Sequence, residues 1–155
     1  MFYMGVDPGL SGAIAVIYET NAIQIFPMPI AGKEIDVGGI IGYLKIIKIN
    51  NCVAYIEKVS SRPGQGVVSV FKFGFVTGIL HGVFRTLGIP LYTVTPQAWK
   101  KEILAGTDKS KQASIDYILR AYPDIKLFRT ERSRTYDHNM ADALCIAEYA
   151  KRKYP

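Results

Sequence analysis

The sequence predicts an α/β domain whose helices pack on the faces of a mixed, five-stranded sheet. Two short apolar strand patterns open the chain around a turn rich in Pro and Gly, which indicates a hairpin. Later strand patterns alternate with helical ones, as they do in βαβ crossovers. With 155 residues, 49% of them hydrophobic and 21% charged, the chain fits a single globular domain spanning residues 1–155 rather than a disordered segment.

The first half of the chain contains four strand patterns and one helix pattern. Apolar runs at residues 2–6, 13–18 and 23–28 predict three strands. Residues 36–49 repeat apolar side chains at spacings of three and four, which predicts an amphipathic helix. The continuous apolar run at residues 52–56 is typical of a central parallel strand that is covered on both faces.

The second half predicts one more strand and four helices. Residues 67–87 form the longest apolar stretch, and we interpret them as a core helix because Lys72, His81 and Arg85 make the stretch too polar for a membrane span. No membrane partner is therefore expected. The remaining predicted elements are a strand at residues 92–94, a helix capped by Thr95 with Pro96 in its first turn, and helices at 110–122 and 139–153.

The excess of basic side chains indicates an acidic partner. The net charge is +6 and the isoelectric point is near 9.3, and residues 96–155 carry most of the excess. Nucleic acid fits this balance better than a membrane surface does. Cys52 and Cys145 lie in apolar runs, so we expect two buried free thiols and a reducing compartment. The first strand leaves no room for a signal peptide, so we expect a cytoplasmic protein, in the host cytoplasm if it is phage-encoded.

Two carboxylates follow directly on predicted buried strands. Asp7 ends the first strand pattern and Glu57 ends the run at residues 52–56. If these strands are parallel neighbours, both side chains emerge at the same edge of the sheet, where open α/β sheets place their sites. The alternative is that Asp7 only caps a turn and that Glu57 only begins a solvated loop.

A third acid, Asp142, belongs to the last helix pattern. His138 and Asn139 precede it by four and three residues and therefore share its helix face. Because this face becomes apolar towards its C-terminal end, we expect Asp142 to point towards a site rather than into bulk water. The alternative is an ordinary acid near a helix N-terminus, where the helix dipole favours it.

Three converging carboxylates need a cation. They would repel one another by roughly a few kcal/mol per pair at an effective dielectric constant of about 20. Oxygen ligands without a Cys or His cluster select Mg²⁺, with Mn²⁺ as a substitute, rather than zinc. Two such ions roughly 3.5–4 Å apart can hold the attacking water and the leaving oxygen of a phosphoryl displacement. Acids at the site and basic residues around it therefore indicate a nuclease.

Five motifs, in the same order and at similar spacing, resemble RuvC-type Holliday junction resolvases over nearly the whole chain. In particular, residues 137–144 (DHNMADAL) are similar to a segment of the phage and chloroplast members. The five motifs are residues 5–12, residues 55–59, residues 72–78, residues 94–96 with Lys100 and residues 108–110, and residues 138–147.

This resemblance implies an RNase H-like fold and a homodimer. It also implies Mg²⁺-dependent, paired nicking of four-way DNA junctions that leaves 5′-phosphate and 3′-hydroxyl ends. Lys109 matches the family lysine near the scissile phosphate, where a fixed positive charge stabilises developing negative charge. The implied metal ligands are Asp7, Glu57 and Asp142, together with His138, which matches the chloroplast type, or Asn139, which stands where bacterial RuvC has His or Asp.

One departure from the family pattern concerns the junction wedge. RuvC carries an aromatic residue three positions after the strand-end Glu, and this chain has Ser60 there. Opening of the junction by a ring at that position is therefore not expected. Any contact of the loop at residues 58–66 with the branch must use other groups.

Basic and polar residues around these motifs are candidate DNA contacts, although a charge run is more often a solvated face. Residues 126–136 are polar and basic, and we interpret them as a mobile loop that orders on DNA, with Arg129 on a phosphate track. The candidate DNA-binding residues are Lys58, Ser60, Ser61, Arg62, Gln65, Lys72, Lys100, Lys101, Lys111, Arg132 and Arg134.

Three glycines lie four residues apart in the long apolar helix pattern. Gly74, Gly78 and Gly82 each cost a helix roughly 1 kcal/mol relative to Ala, so a close approach is expected along this stripe. The stripe packs either against the sheet or against a second copy of the chain.

Three other functions remain open from the sequence. The first is a flap, branch or RNA/DNA-hybrid nuclease of the same fold. The second is a junction-binding module without catalysis. The third is a fragment of a sugar-kinase or actin-like ATPase, which this chain fits less well because it lacks a second lobe to close over ATP.

Overall fold

The computed structural model describes residues 1–47, 51–58, 60–61 and 63–154. Within these ranges it contains a five-stranded sheet, a two-stranded hairpin and five helices. The strands are β1 (Phe2–Asp7), β2 (Ala13–Ile17), β3 (Ile23–Pro27), β4 (Ile30–Ala31), β5 (Glu34–Ile35), β6 (Cys52–Glu57) and β7 (Leu91–Val94). The helices are α1 (Val37–Ile46), α2 (Val67–Thr86), α3 (Pro96–Ile103), α4 (Lys111–Ala121) and α5 (His138–Lys153).

The main sheet is mixed and has the strand order β3-β2-β1-β6-β7. Strands β1, β2 and β3 are antiparallel neighbours, whereas β6 pairs parallel with β1 and β7 pairs parallel with β6. The register places Val6 of β1 opposite Ile56 of β6. Asp7 and Glu57, which follow these residues, therefore leave the sheet at the same edge. The α/β class and the five-stranded mixed sheet that the sequence predicts are confirmed.

The turn between β1 and β2 depends on two glycines. Gly9 adopts a φ of 134°, which side-chain-bearing residues rarely accept. A Cβ on Gly12 would overlap the carbonyl oxygen of Asp7, so only glycine lets the chain turn this closely around the end of β1. The turn therefore fixes the backbone that carries Asp7.

Helix α5 lies on one face of the sheet and is mostly buried. Gly5 of β1 faces it, and a Cβ there would overlap the carbonyl oxygen of Ala143 and the backbone nitrogen of Ala147. Because Gly5 has no side chain, α5 approaches β1 closely. The core on this side includes Trp99, Ile118, Leu127 and Leu144, all fully buried.

Helices α1 and α2 lie on the other face, and α2 corrects the prediction of a core helix. Only four of its residues are buried, namely Val76, Leu80, Val83 and Phe84, which pack with β1, β2 and β6. The apolar side chains of its first half face outward, and Phe71 is 72% exposed. By length and composition alone α2 is apolar enough to cross a membrane, despite Lys72, His81 and Arg85.

Other local predictions have mixed outcomes. The Thr95 cap is confirmed, because its Oγ1 accepts a hydrogen bond from the backbone N–H of Ala98 at 3.2 Å. Cys52 and Cys145 are buried free thiols, as expected. The short hairpin of β4 and β5 was not predicted, because two-residue strands show no periodicity. The predicted extension of the first helix to residue 49 falls partly on residues 48–50, outside the described ranges.

Candidate active site

Three carboxylates occupy one edge of the sheet. Asp7 is the last residue of β1, Glu57 is the last residue of β6, and Asp142 lies in the second turn of α5. The parallel pairing of β1 with β6 and the packing of α5 across β1 bring these three elements together. The edge that the sequence predicts for the site is therefore the edge where the carboxylates lie.

The carboxyl group of Asp7 is strongly perturbed by its surroundings. Burial raises its pKa well above the ordinary value of 3.8, and the negative charges of Glu57, Asp142 and Asp137 raise it further. Arg129 opposes this shift only in part. A bound cation would relieve the repulsion among these carboxylates.

Asp142 is also desolvated. Burial raises its pKa, while the Ser114 hydroxyl and the side chains of Lys100, His138 and Lys111 lower it in part. Neither Ser114 Oγ nor Asp142 Oδ1 has a hydrogen bond of normal geometry among the described residues, although both atoms are buried. A buried carboxylate oxygen without a partner is the arrangement that metal coordination would satisfy.

Glu57 is held by the side chain of a tryptophan from α3. The indole Nε1–H of Trp99 donates a hydrogen bond of 2.8 Å to Glu57 Oε1. Trp99 itself is completely buried in the core beneath the site. This contact is not predictable from the sequence, because nothing in the spacing of two residues 42 positions apart indicates it.

The donor set fits a divalent cation in its chemistry. Its members are hard carboxylate oxygens, which Mg²⁺ and Mn²⁺ prefer. The repulsion at Asp7 and the unpartnered oxygen of Asp142 both favour a positive ion. Within the described ranges, however, no three His, Cys, Asp or Glu side chains lie close enough together to surround one ion. Occupation would therefore require the carboxylates to adjust.

His138 and Asn139 both lie beside the carboxylates at the start of α5. His138 is close enough to Asp142 to lower the pKa of that carboxyl group. Asn139 lines a groove of about 400 Å³ together with Asp7, Lys72 and Phe73. His138 therefore lies near Asp142, and Asn139 borders the same groove as Asp7.

Arg129 ties the two backbone segments of the site together. Its guanidinium pairs with Asp137 and donates hydrogen bonds to the carbonyl oxygens of Ser11 and Gly12. Burial alone would raise the pKa of Asp137, but Arg129 and the backbone N–H groups of Asn139 and Met140 lower it overall. Arg129 is therefore an internal clamp between the β1–β2 turn and the N-terminus of α5, which corrects its interpretation as a phosphate contact.

The segment at residues 126–136 is anchored, which corrects the expectation of a mobile loop. Leu127 is fully buried, and its carbonyl oxygen accepts a hydrogen bond of 2.7 Å from the backbone of Asp137. The rings of Phe128 and Tyr136 stack at 4.9 Å. The sequence alone could not show this, because one buried leucine and one inward-facing arginine leave no periodic pattern.

The lysines around the site differ in their relation to the carboxylates. Lys100 and Lys111 are the two lysines with the largest effect on Asp142. Lys109 is exposed and adopts a φ of 58°, which few side-chain-bearing residues do. Its role at the scissile phosphate remains a prediction.

The remaining candidate DNA contacts are on the surface. Lys72 lines the Asp7 groove. Ser60, Ser61 and Gln65 line a neighbouring pocket of about 170 Å³ that also contains Phe73. Arg62 lies outside the described residues. The side chains of Lys58, Lys101, Arg132 and Arg134 are exposed.

Comparison with known proteins gives structural neighbours only. The sequence matches no protein-family model and no curated protein. The Thermus thermophilus RuvC in complex with Holliday junction substrate is 18% identical, with a TM-score of 0.67 over 95% of this chain and 90% of that one. The yeast mitochondrial Holliday junction resolvase Ydc2 is 14% identical, with a TM-score of 0.57 over 97% of this chain and 80% of that one.

A viral neighbour has the same architecture. The fowlpox virus resolvase, solved with its substrate Holliday junction DNA, is 14% identical, with a TM-score of 0.53 over 96% of this chain and 98% of that one. These structural likenesses extend along almost the entire chain. Because the sequence identities are only 14–18%, they establish the fold alone. The chain therefore has the RNase H-like fold of the RuvC-type Holliday junction resolvases.

Proposed function

We propose that the protein is a structure-selective DNA endonuclease that resolves four-way junctions. The observation that carries this proposal is the position of Asp7, Glu57 and Asp142 at one sheet edge, where burial and, after it, the negative charges of the other two acids raise the pKa of Asp7. The fold supports the same substrate, because two of the neighbours are resolvases in complex with Holliday junctions. The basic net charge of +6 favours a polyanionic substrate.

The carboxylates of Asp7, Glu57 and Asp142 would hold Mg²⁺, and Mn²⁺ would substitute for it. When bound, the metal would lower the pKa of a water molecule and neutralise charge on the phosphodiester. Asp7, between the other two acids, is the residue whose ionisation the cation would favour most. His138 and Asn139 would assist from the first turn of α5.

The basic residues around the site would bind and orient the DNA backbone. Lys72 borders the Asp7 groove, and Lys100 and Lys111 lie near Asp142. Their positive charges, together with that of Lys109, would offset the negative charge that develops on the phosphate during hydrolysis. Cleavage would leave 5′-phosphate and 3′-hydroxyl ends.

A homodimer would match the two-fold symmetry of the junction, because two equivalent sites suit two equivalent strands. Helix α2 is the surface that we assign to the second copy. Its outward face exposes Val67, Val68, Phe71 and Phe75. A Cβ on Gly74, Gly78 or Gly82 would meet no described atom within 4 Å, so these glycines do not serve packing against the sheet. The exposed apolar side chains beside these glycines favour the other interpretation of the stripe, packing against a second copy of the chain.

The test is a cleavage assay on mobile and fixed four-way junctions with Mg²⁺ or with a chelator. We expect paired, symmetric nicks in Mg²⁺, and for Asp7→Asn we expect junction binding without cleavage. The matched control is Asp124→Asn, which changes an exposed carboxylate outside the site and should leave cleavage intact.

Two outcomes would contradict the proposal. Salt-sensitive junction binding without product in any divalent cation would identify a binding module. Faster cleavage of flaps or RNA/DNA hybrids than of four-way junctions would identify another nuclease of the same fold.

A further inference from the structure

The hydrogen bond between Trp99 and Glu57 joins the buried core to the edge of the candidate active site. Trp99 is completely buried, and its Nε1–H donates to Glu57 Oε1 at 2.8 Å. The indole N–H is a donor only, so it can engage a carboxylate but cannot accept a proton from one. Glu57 Oε1 is therefore the acceptor in this contact.

The core around Trp99 holds its indole ring in place. Helix α3 begins at Pro96 after the Thr95 cap, and Trp99 packs in the core cluster with Ile103 and Leu104. Because a fully packed ring has little freedom to rotate, its N–H points in a fixed direction. A flexible glutamate side chain that accepts this bond loses much of its own freedom.

The residue that follows Trp99 acts on another carboxylate of the site. The ammonium group of Lys100 lies 5.2 Å from the centre of the Trp99 ring and lowers the pKa of Asp142. Two consecutive residues of α3 thus interact with the site: Trp99 donates a hydrogen bond to Glu57, and Lys100 acts electrostatically on Asp142. Helix α3 therefore connects the carboxylate of β6 with the carboxylate of α5.

We propose that Trp99 is a positioning residue that holds Glu57 in the orientation needed for divalent-cation binding, an inference that rests on the proposed nuclease function. The indole hydrogen engages one carboxylate oxygen, and a carboxylate has further lone pairs to offer a cation. Residues that orient metal ligands in this way commonly change metal affinity by about 10- to 100-fold when they are replaced. Because Trp99 is completely buried, it would act through Glu57.

The same contact makes Trp99 a built-in reporter of the site, because it is the only tryptophan in the chain. Excitation moves electron density from the pyrrole ring of indole to its benzene ring. A negative charge beside Nε1 therefore stabilises the excited state, and its neutralisation by a cation shifts the emission to shorter wavelength. Mg²⁺ binding at Glu57 should produce this blue shift.

The experiment measures Mg²⁺ binding in two ways. Tryptophan emission of the full-length protein is followed as Mg²⁺ is added, for the wild type, Glu57→Gln and Asp124→Asn. Calorimetric titration with Mg²⁺ then compares the wild type with Trp99→Phe, which keeps an aromatic ring in the core but removes the N–H donor. Phe84→Leu is the packing control, because Phe84 is equally buried on the opposite face of the sheet.

We expect a saturable blue shift in the wild type and in Asp124→Asn but not in Glu57→Gln. Trp99→Phe should weaken Mg²⁺ binding by about 10-fold and raise the Mg²⁺ concentration for half-maximal cleavage by the same factor. Cleavage at saturating Mg²⁺ should recover. Phe84→Leu should lower the melting temperature without changing Mg²⁺ affinity.

Three results would overturn the positioning role. One is junction cleavage by the wild type without any Mg²⁺-dependent change in emission. The others are unchanged or tighter Mg²⁺ binding in Trp99→Phe, which would mean that the indole is neutral towards the cation or competes with it. An emission shift without cleavage of any DNA would support the positioning role while contradicting the nuclease proposal, so the two failures are distinguishable.

Discussion

Helices α5 and α2 pack on opposite faces of the same sheet, and the glycines associated with each helix differ in their surroundings. Beside α5, Gly5 of the sheet removes a side chain that would overlap the backbone at Ala143 and Ala147. In α2 itself, the Cβ position of Gly78 faces open space. The first glycine is explained by packing within the chain. The second is not, and together with exposed Phe71 and Phe75 it lies on the surface that we propose as the dimer contact.

The two faces of the sheet therefore differ in how completely their helices are buried. The α5 face is closely packed and fixes the backbone around Asp7 and Asp142. The α2 face leaves apolar side chains in contact with water, which is unfavourable by roughly 25 cal/mol per Å² of apolar surface. The α5 face therefore accounts for the geometry of the site, and the α2 face accounts for the proposed assembly.

The largest effect is expected from Gly5→Ala. The added methyl group would meet the backbone of α5 rather than a movable side chain, so the helix must shift. We expect a loss of about 3 kcal/mol or more in the free energy of unfolding, measured in urea, and a loss of cleavage because Asp142 moves with α5. Gly42→Ala is the control, since no described atom lies within 4 Å of its Cβ position. Equal stability of the two variants would refute the account of close packing.

The second effect concerns assembly. Phe71→Asp places a charge on the outward face of α2. The side chain of Phe71 is 72% exposed and does not belong to the buried core. We expect the variant to be monomeric by analytical ultracentrifugation and to make single rather than paired nicks, with almost unchanged stability of the folded chain. A wild-type protein that is already monomeric, or that binds neutral lipid vesicles through α2, would contradict the dimer assignment.

The third effect is electrostatic and separates stability from activity. Since folding raises the pKa of Asp7 above 3.8, the unfolded chain ionises first, and this group lowers stability as the pH rises towards its raised pKa. Asp7→Asn removes this loss. We therefore expect cleavage to disappear while the melting temperature at neutral pH, without Mg²⁺, rises by a few degrees, about 2–4 °C per kcal/mol. The increase in melting temperature of Asp7→Asn over the wild type should vanish near pH 3. A melting temperature below that of the wild type at pH 7 would contradict this prediction.

The smallest effect is expected from Gly78→Ala. In the Phe71→Asp background, where α2 would be uncovered, the alanine should stabilise the helix by about 1 kcal/mol. In the otherwise wild-type chain, the same methyl group should weaken dimerisation, measured as a higher dissociation constant. The same stabilisation in both backgrounds would show that Gly78 does not lie in an interface.

The sequence predicts the sheet, its helices and the three carboxylates because each leaves a local signature. Asp7 and Glu57 end apolar runs, and Asp142 shares a helix face with His138. The contacts of Trp99 with Glu57 and of Arg129 with the β1–β2 turn leave none, since they join residues far apart in the chain. The exposure of α2 was mispredicted for a related reason: apolar composition does not reveal whether a helix faces its own core or another molecule.

The most direct measurement of the central claim is the melting temperature as a function of Mg²⁺ concentration in four proteins. These are the wild type and the variants Asp7→Asn, Glu57→Gln and Asp142→Asn. If the three carboxylates form one cation site, Mg²⁺ raises the wild-type melting temperature with a saturable dependence, because a ligand of the folded state stabilises it. Each variant should lose that rise. A full Mg²⁺-dependent rise in any of the three variants would contradict the account.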